Sequence, residues 1–412
     1  MTMNLMEADK KALELIAPAA KEAEEIAFYT TERVLNAFRE ERVSEVHFAG
    51  STGYGYGDRG RDTLDQLFAR ALESEDALVR PQFISGTHTL TVALFGVLRP
   101  GNVMLAVTGK PYDTLDEVIG IGGNPGDGSL KDFGIEYRQI DLKDGGIDFP
   151  ALEEALKDPA VKMVFAQKSK GYQDRPTLSA EALGEIAEFV HERRADVVVM
   201  VDNCYGEFCE KHEPTYYGVD LMAGSLIKNP GGGIAPTGGY IAGRSDLIEQ
   251  CAYRLTSPGI GKESGCTLNI LREFYQGLFM APHVVLQAKK TEMYAAAMCD
   301  QLGCQTAPAY DEPRYDIIQT ITLNSGENLL AFCKGIQSGS PIDSFVTPEA
   351  WDMPGYDAPV VMAAGAFVMG SSIELSADGP MKPPYIAFMQ GGLTFESGRL
   401  GILKAVEGMN HD

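Results

Sequence analysis

Two residues in the middle of the chain have the types and the spacing needed for chemistry on an amine. Asp202 ends the apolar run 197–201, and Lys228 follows 26 residues later, directly before Asn229-Pro230 and three glycines. A continuous β-branched run predicts a strand buried on both faces of a parallel sheet, and α/β sheets bind ligands at the carboxyl ends of such strands. A carboxylate there can keep a pyridine nitrogen protonated, and a lysine can form a Schiff base with an aldehyde. The pair therefore indicates pyridoxal 5'-phosphate (PLP) as a cofactor.

Each of these residues also has a purely structural interpretation. An aspartate after an apolar strand is often a turn residue or a helix cap, and a lysine beside glycines is usually a solvated loop residue. Either residue alone is weak evidence, because short motifs carry a large false-positive risk. The two together, with the segments described next, favour cofactor chemistry.

Two further segments suit a phosphorylated, planar ligand. Ser85-Gly86-Thr87 precedes the apolar run 90–98, and a small-residue turn that opens a buried helix offers free backbone NH groups to a phosphate. Tyr112 follows a predicted strand, where it either stacks on a planar ring or is a core or surface tyrosine. These residues are candidates for binding the phosphate and the ring of the cofactor.

The segment 53–63 is predicted to be an irregular loop, because four glycines are crowded into it together with two tyrosines and two arginines. Its aromatic and guanidinium side chains suggest the rim of a ligand site, since arginine forks match phosphate and carboxylate geometry. The alternative is a structural turn with surface arginines.

Composition excludes several classes of function. The formal charge of −23 over 412 residues disfavours nucleic acid, which requires a basic binding surface. No stretch approaches 18 uninterrupted apolar residues, so no membrane span is expected. The seven cysteines include no CxxC pair, so neither a metal site nor a disulfide framework is predicted, and reduced thiols fit a cytoplasmic protein.

The order of the predicted elements indicates the α/β class. Strands alternate with helices through the first two thirds of the chain, which predicts a mainly parallel sheet wound by helices on both faces. Residues 1–50 are expected to form an N-terminal helical segment and 51–285 a large ligand-binding domain. Residues 286–412 are expected to form a smaller α+β domain with an antiparallel sheet, whose extended segments include 360–368, 372–376 and 386–390.

With these residues assembled, the chain resembles the PLP-dependent enzymes of fold type I, within the group of cysteine and methionine metabolism. It is most similar to the branch known as aluminium resistance or methionine gamma-lyase family proteins, and the likeness covers nearly the whole chain. The motifs that carry it are Gly53-Tyr54-Gly55-Tyr56, Ser85-Gly86-Thr87-His88, Gly109-Lys110-Pro111-Tyr112-Asp113-Thr114-Leu115, Ile227-Lys228-Asn229-Pro230-Gly231-Gly232-Gly233-Ile234 and Pro258-Gly259-Ile260-Gly261.

The resemblance implies a role for each matching position around the cofactor. Lys228 matches the Schiff-base lysine that moves a proton between Cα and Cβ, and Asp202 matches the partner of the pyridinium nitrogen. Tyr112 is similar to the tyrosine that stacks on the ring. The phosphate-binding groups correspond to Gly86, Thr87 and Ser225.

The resemblance also implies an assembly. Tyr56 matches a tyrosine that reaches into the neighbouring subunit's site to hold the phosphate, so the active unit is expected to be at least a dimer, and a dimer of dimers overall. An arginine usually stands two residues after that tyrosine, where this chain has Asp58, and Arg59 or Arg61 is expected to compensate.

The residue that binds the substrate carboxylate is left open by the sequence. Relatives in this branch usually carry arginines where this chain has Lys168 and Lys170, and often one at Lys382. Lysine cannot form the bidentate fork of arginine. Arg254, Arg314 and Lys382 are therefore all candidates.

The resemblance implies a PLP-dependent carbon-sulfur lyase that eliminates thiol from a sulfur amino acid of the cystathionine, cysteine or methionine type, with release of keto acid and ammonia. Neither the choice between β- and γ-elimination nor the substrate follows from the sequence. Because fold type I hosts several reactions, an aminotransferase or aldolase with the same cofactor is the first alternative. A non-catalytic PLP-binding protein is the second.

Overall fold

A computed structural model of the protein describes residues 4–173, 175–352 and 358–409. Its helices, in chain order, are α1 (Leu5–Glu40), α2 (Arg59–Ala71), α3 (Gly86–Val97), α4 (Asp116–Ile119), α5 (Phe149–Ala155), α6 (Ala180–Arg193), α7 (Ser245–Leu255), α8 (Leu271–Asp300), α9 (Gly326–Ser338) and α10 (Phe395–Glu407). Its strands are β1 (Asp76–Arg80), β2 (Val103–Ala106), β3 (Glu136–Gln139), β4 (Val161–Gln167), β5 (Val198–Asp202), β6 (Leu221–Ser225), β7 (Gly239–Gly243), β8 (Gln305–Ala307), β9 (Ile318–Thr322), β10 (Val360–Ala364), β11 (Ser376–Pro380) and β12 (Ile386–Gln390).

The first seven strands form one large sheet in the order β1-β7-β6-β5-β4-β2-β3. Strands β3, β2, β4, β5 and β6 pair in parallel, and β7 runs antiparallel to both of its neighbours. The prediction of a mainly parallel sheet wound by helices is therefore confirmed. In the paired register Gln167 lies opposite Asp202, so the two side chains leave the same edge of the sheet.

The central strands are apolar because both of their faces are covered. Along β5, Val199 and Val201 belong to the core shared with α2, α6 and α8, whereas Val198 and Met200 belong to the core shared with α3 and α7. Successive side chains of a strand point to opposite faces, so two cores require the continuous apolar run seen in the sequence. The run ends at Asp202, where the strand leaves both cores.

The remaining strands form a five-stranded antiparallel sheet in the order β10-β11-β12-β9-β8. One face of this sheet packs on α9 and α10 in a separate core, which confirms the predicted α+β unit. Two long helices take part in both units. The first half of α1 packs in the small core and its second half in the large one, and α8 enters the large core first and then the small one. The predicted boundary after residue 285 falls inside α8.

Three local expectations differ from the structure. Strand β1 was not predicted, because its short run of Ala, Leu and Val lies between charged residues and next to a proline. Helix α2 begins at Arg59, inside the segment 53–63 that the sequence predicts to be a loop, because the Asp58 carboxylate caps it by accepting the Arg61 N–H. The strand expected at 372–376 lies at 376–380 instead, because Ser372 forms a turn with Glu374.

None of the described helices combines the length and the apolar character needed to cross a membrane.

Candidate active site

A cavity of about 450 Å³ opens where the carboxyl ends of β4, β5 and β6 face the small antiparallel sheet. Most of the residues singled out in the sequence line it: Ser85, Gly86, Thr87, Tyr112, Asp202, Ser225 and Lys228. Residues of the small unit close the other side, among them Asp378, Phe388 and Gln390. Residues that are far apart in the sequence thus lie in one cavity, because the segments that carry them end at the same edge of the sheet.

Lys228 is held in the cavity by an aromatic ring. Its Nζ lies 3.7 Å from the centroid of the Tyr205 ring, a cation–π contact. Tyr205 has a φ of +71°, a conformation that costs a non-glycine residue about 1–3 kcal/mol and that collects at functional sites. The Tyr205 hydroxyl donates to the Ser371 carbonyl at 3.3 Å, so the ring is fixed between the two units.

Lys228 and Asp202 influence each other's charge. Burial raises the pKa of the Asp202 carboxyl above its usual value, although Lys228, the Cys204 N–H and Arg175 act to lower it. Burial lowers the pKa of Lys228, but Cys204, Tyr205 and Asp202 more than reverse this, so its pKa lies above the ordinary value. The cavity therefore holds a cationic amine beside a carboxyl group whose anion is poorly solvated, and a second cation near Asp202 would stabilise that anion.

The glycines after Lys228 allow its loop to fold tightly against α8. A Cβ atom at Gly231 would lie 1.8 Å from the Leu226 carbonyl oxygen, and one at Gly277 of α8 would lie 2.4 Å from the Gly231 carbonyl oxygen. No real side chain fits at those distances. The Gly-rich sequence therefore reflects close packing that anchors the segment carrying Lys228.

The amino end of α3, where the sequence predicts an anion site, opens onto the cavity. Ser85 caps the helix by accepting the His88 N–H at 3.1 Å, which leaves the first NH groups of the helix, at Gly86 and Thr87, directed at the cavity. A Cβ added at Gly86 would lie 3.5 Å from Cβ of Ser225. Helix terminus and strand end thus approach each other closely enough to bind one phosphate between them.

Tyr112 is positioned by the end of β4. Its backbone N–H donates to Gln167 Oε1 at 2.6 Å, and the Gln167 amide donates to the Ser169 carbonyl at 2.8 Å. The Tyr112 ring lies 6.0 Å from the ring of Tyr172, tilted by 32°. Two aromatic rings therefore stand side by side along one wall of the cavity.

Two predicted cofactor residues of the loop 53–63 lie away from the described lining of this cavity. Arg61 is buried in the first turn of α2, where its guanidinium donates to the carbonyls of Gly55 and Gly265. It ties two chain segments together within its own chain. Tyr56 is 63% exposed and stacks on Tyr54 with centroids 5.5 Å apart. Their roles toward a cofactor stay predictions.

The three candidates for the substrate carboxylate have different surroundings. Arg254 lies over the Phe95 ring at 4.9 Å, and Arg314 is buried and donates to the Pro308 and Ala309 carbonyls. Neither is among the described residues that line the main cavity. Lys382 lines a second cavity of about 330 Å³ that shares Tyr112 and Tyr172 with the first.

Several cavity residues were not predicted as site residues from the sequence. Tyr205 follows Asp202 closely, and its left-handed backbone has no signal in residue type. Lys168 and Lys170 mark the segment after β4 in the sequence, but nothing in that segment distinguishes Tyr172. Asp378 comes from a distant strand and joins the site only through packing of the two units. Among the described residues, no group of three or more His, Cys, Asp or Glu side chains suits a metal ion.

These residues fit PLP by their chemistry. Lys228 can bind the aldehyde, and the destabilised anion of Asp202 suits a protonated ring nitrogen. The α3 terminus suits the phosphate, and Tyr112 suits the face of a ring. The fit rests on the pairing of a buried amine with a buried carboxyl group in one cavity.

Comparisons with known proteins identify the family of the chain. The chain is 51% identical to the uncharacterized protein YnbB of Bacillus subtilis over 404 residues, 97% of this chain and 96% of that protein. A crystal structure titled carbon-sulfur lyase involved in aluminum resistance, from Clostridium novyi, is 52% identical with a TM-score of 0.94, covering 97% of this chain and 94% of that one. The pyridoxal-5'-phosphate-dependent protein YhfS of Escherichia coli shares the fold at 15% identity, with a TM-score of 0.61 over 94% of this chain and 96% of that one. The family described as Methionine gamma-lyase matches residues 5–410, and the chain belongs to that family, with a fold of type I.

Proposed function

We propose that the protein is a PLP-dependent carbon-sulfur lyase that eliminates a thiol from a sulfur amino acid. The observation that carries the proposal is the presence of Lys228 over Tyr205 in the same cavity as the buried carboxyl of Asp202. Membership of the Methionine gamma-lyase family supports the same reaction class. PLP, when bound, stabilises negative charge at the substrate Cα.

Each residue of the site would contribute a separate step. Lys228 would hold the cofactor aldehyde and, once displaced by the substrate amine, take the proton from Cα. Asp202 would keep the ring nitrogen protonated. The α3 terminus and Ser225 would hold the phosphate and so fix the ring against Tyr112. For γ-elimination only, Lys228 would then remove a proton from Cβ, so that the freed electron pair forms the Cβ–Cγ double bond as the thiolate leaves Cγ.

The products test the reaction class. Incubation of the PLP-loaded protein with cystathionine, cysteine or methionine is expected to release thiol, ammonia and a keto acid without an added acceptor. Pyruvate would identify β-elimination, and 2-oxobutanoate from methionine would identify γ-elimination. Amino-group transfer that requires a keto-acid acceptor would instead identify an aminotransferase, and binding without any product would identify a non-catalytic protein.

Among the three cationic candidates, the geometry favours Lys382 for the substrate carboxylate, because its cavity shares Tyr112 and Tyr172 with the main one. Replacement of Lys382 by methionine is expected to raise KM about 10- to 100-fold with a smaller change in kcat, since a hydrogen bond to a charged group contributes about 1.5–3 kcal/mol. Steady-state kinetics measure this. Arg254→Met, which removes a cation outside the described lining, is the matched control and should leave KM unchanged. An unchanged KM in the Lys382 variant would exclude this residue.

We propose further that the active unit is a homo-oligomer in which Tyr56 completes the neighbouring subunit's phosphate site. Its exposed ring in the isolated chain is consistent with this. If it does so, Lys228→Ala and Tyr56→Ala proteins, each inactive alone, should regain about one quarter of wild-type activity when unfolded and refolded together in equal amounts, because half of the dimers carry one intact site of two. Lack of recovery in mixed dimers verified by mass would contradict a shared site. Light scattering gives the oligomeric state.

A further inference from the structure

The main cavity has a third charged residue on the side formed by the small unit. Asp378 lies in the middle of β11, paired with Met362 of β10 and Phe388 of β12. Its neighbours Ala377 and Gly379 are buried on the opposite face, where Gly379 approaches Leu329 of α9. Alternation along the strand therefore directs Asp378 away from the small core and into the cavity.

The carboxyl of Asp378 is held by one aromatic residue of the large unit. The Tyr172 hydroxyl donates to Asp378 Oδ2 at 2.6 Å, and the Tyr172 ring meets Phe388 edge to face at 4.8 Å. Among the described residues no salt bridge joins Asp378 to a lysine or an arginine. An anion bound by a single neutral donor is incompletely compensated when a ligand fills the cavity and removes water.

The other charged residues of the lining do not neutralise the Asp378 carboxylate. Besides Asp378, the described residues that line the cavity include one lysine, Lys228, and one other acid, Asp202. The charges of Lys228 and Asp202 offset each other, and both residues would bind the cofactor. The carboxylate of Asp378 therefore leaves the lining with one negative charge in excess, which a bound phosphate would increase and a cation near Asp378 would offset.

We propose that Asp378 selects, among sulfur amino acids, those that carry a cationic group on the far side of the sulfur. This inference rests on the proposed function, which places the substrate sulfur in the cavity. It adds that the leaving thiol should carry a positive charge. Such a substrate would place an ammonium group near the Asp378 carboxylate, whereas a neutral thioether would leave that anion without a counter-charge. A substrate with an anionic far end would be disfavoured for the same reason.

The expected pH dependence follows from the state of the carboxyl. Burial raises the pKa of Asp378 to about 7, although the hydrogen bond from Tyr172 acts to lower it. Lys228 and Asp202 share its cavity, and the Cys333 thiol of α9 lies on the other face of the sheet. The second cavity, beyond Tyr172, adds three lysines and two acids: Lys110, Lys170, Lys382, Asp113 and Asp116. Because only the carboxylate attracts a cation, the preference is present above about pH 7 and is lost as the pH falls through that value.

Three S-substituted cysteines of nearly equal size test the proposal on the PLP-loaded protein. S-(2-aminoethyl)-L-cysteine ends in an ammonium, S-propyl-L-cysteine in a methyl group, and S-(2-carboxyethyl)-L-cysteine in a carboxylate. At about pH 8 the dissociation constant, measured by calorimetry, is expected to be about 10-fold or more lower for the ammonium probe than for the propyl probe, as one charged hydrogen bond allows. The advantage should fall toward unity at about pH 6.

The variant Asp378→Asn keeps the shape of the side chain and removes its charge. It is expected to lose the preference for the ammonium probe at every pH and to bind the carboxyethyl probe better than the wild type does. Difference infrared spectra of the cofactor-free proteins should show a carboxyl group that titrates near pH 7 in the wild type and is missing in the variant. Equal binding of the ammonium and propyl probes by the wild type, or an unchanged preference in the variant, would overturn the proposal.

The experiment distinguishes failure of the proposed lyase reaction from failure of the proposed selection of cationic substrates by Asp378. Thiol release from none of the three probes, nor from cystathionine, cysteine or methionine, would refute the lyase, while the dissociation constants of the probes would still decide the role of Asp378. Thiol release at equal kcat/KM from all three would refute the selection and leave the lyase intact.

Discussion

Replacement of Lys228 by alanine is expected to lower the rate of thiol release by about 10⁴-fold or more, since it removes both the covalent attachment of the cofactor and the base at Cα. The visible absorption of the cofactor-loaded protein should change, and borohydride, which fixes the lysine–cofactor bond in the wild type, should attach no cofactor to the variant. Steady-state assays, absorption spectra and intact mass together measure the effect.

Another lysine serves as the control for this loss. Lys290 lies on α8 and pairs with Glu24 at the surface of the molecule, so Lys290→Ala should retain activity and covalent cofactor. Retained covalent cofactor in the Lys228 variant, with a mass shift on another lysine, would mean that the Schiff-base residue has been assigned wrongly.

Replacement of Asp202 by asparagine has the second largest expected effect. The asparagine oxygen can still accept the Cys204 N–H that Asp202 Oδ1 receives at 3.1 Å, but it carries no charge to keep a pyridine nitrogen protonated. We expect kcat to fall about 10²- to 10⁴-fold while the cofactor stays attached to Lys228. A kcat within a few fold of the wild type would exclude Asp202 as the partner of the ring nitrogen.

The same variant should not weaken the cofactor-free fold. A carboxyl whose folded pKa is raised destabilises the folded state at pH values above its ordinary pKa, because the anion is better solvated in the unfolded chain. Asp202→Asn should therefore leave the free energy of unfolding unchanged or increase it at neutral pH. Asp220 provides the contrast, because hydrogen bonds from His191 and the Val199 N–H stabilise its carboxylate. Asp220→Asn should lower the melting temperature and change kcat little.

Local sequence patterns were sufficient to predict much of the molecule. The parallel sheet followed from continuous apolar strands, and the convergence of Asp202, Lys228, Tyr112 and the segment 85–87 followed from the rule that such strands expose their carboxyl ends at one edge. Asp202 ends β5 and the segment 85–87 opens α3, while Lys228 and Tyr112 follow the ends of β6 and β2 within three and six residues, so the adjoining elements fix their positions.

Other parts of the site depend on packing between distant segments, and local patterns could not reveal them. Asp378 faces the cavity because β11 docks on the large unit, and Tyr172 becomes its partner across 206 residues of chain. The surroundings of Arg61 depend on packing too, because the cap at Asp58 starts α2 early and its guanidinium donates to the carbonyls of distant segments. The left-handed backbone of Tyr205 likewise has no signature in its residue type.

The two helices that take part in both cores restrict how the protein can move. The first, α1, is 36 residues long and α8 is 30, and each is packed along its length against both units. Rotation of the small unit as a rigid body would have to bend both helices or pull one end out of its core. The entrance is instead bordered by short irregular segments, such as Met369-Gly370-Ser371, whose methionine is 96% exposed. Substrate entry and product exit are therefore expected to depend on rearrangement of these loops, while the two units keep a fixed relative orientation.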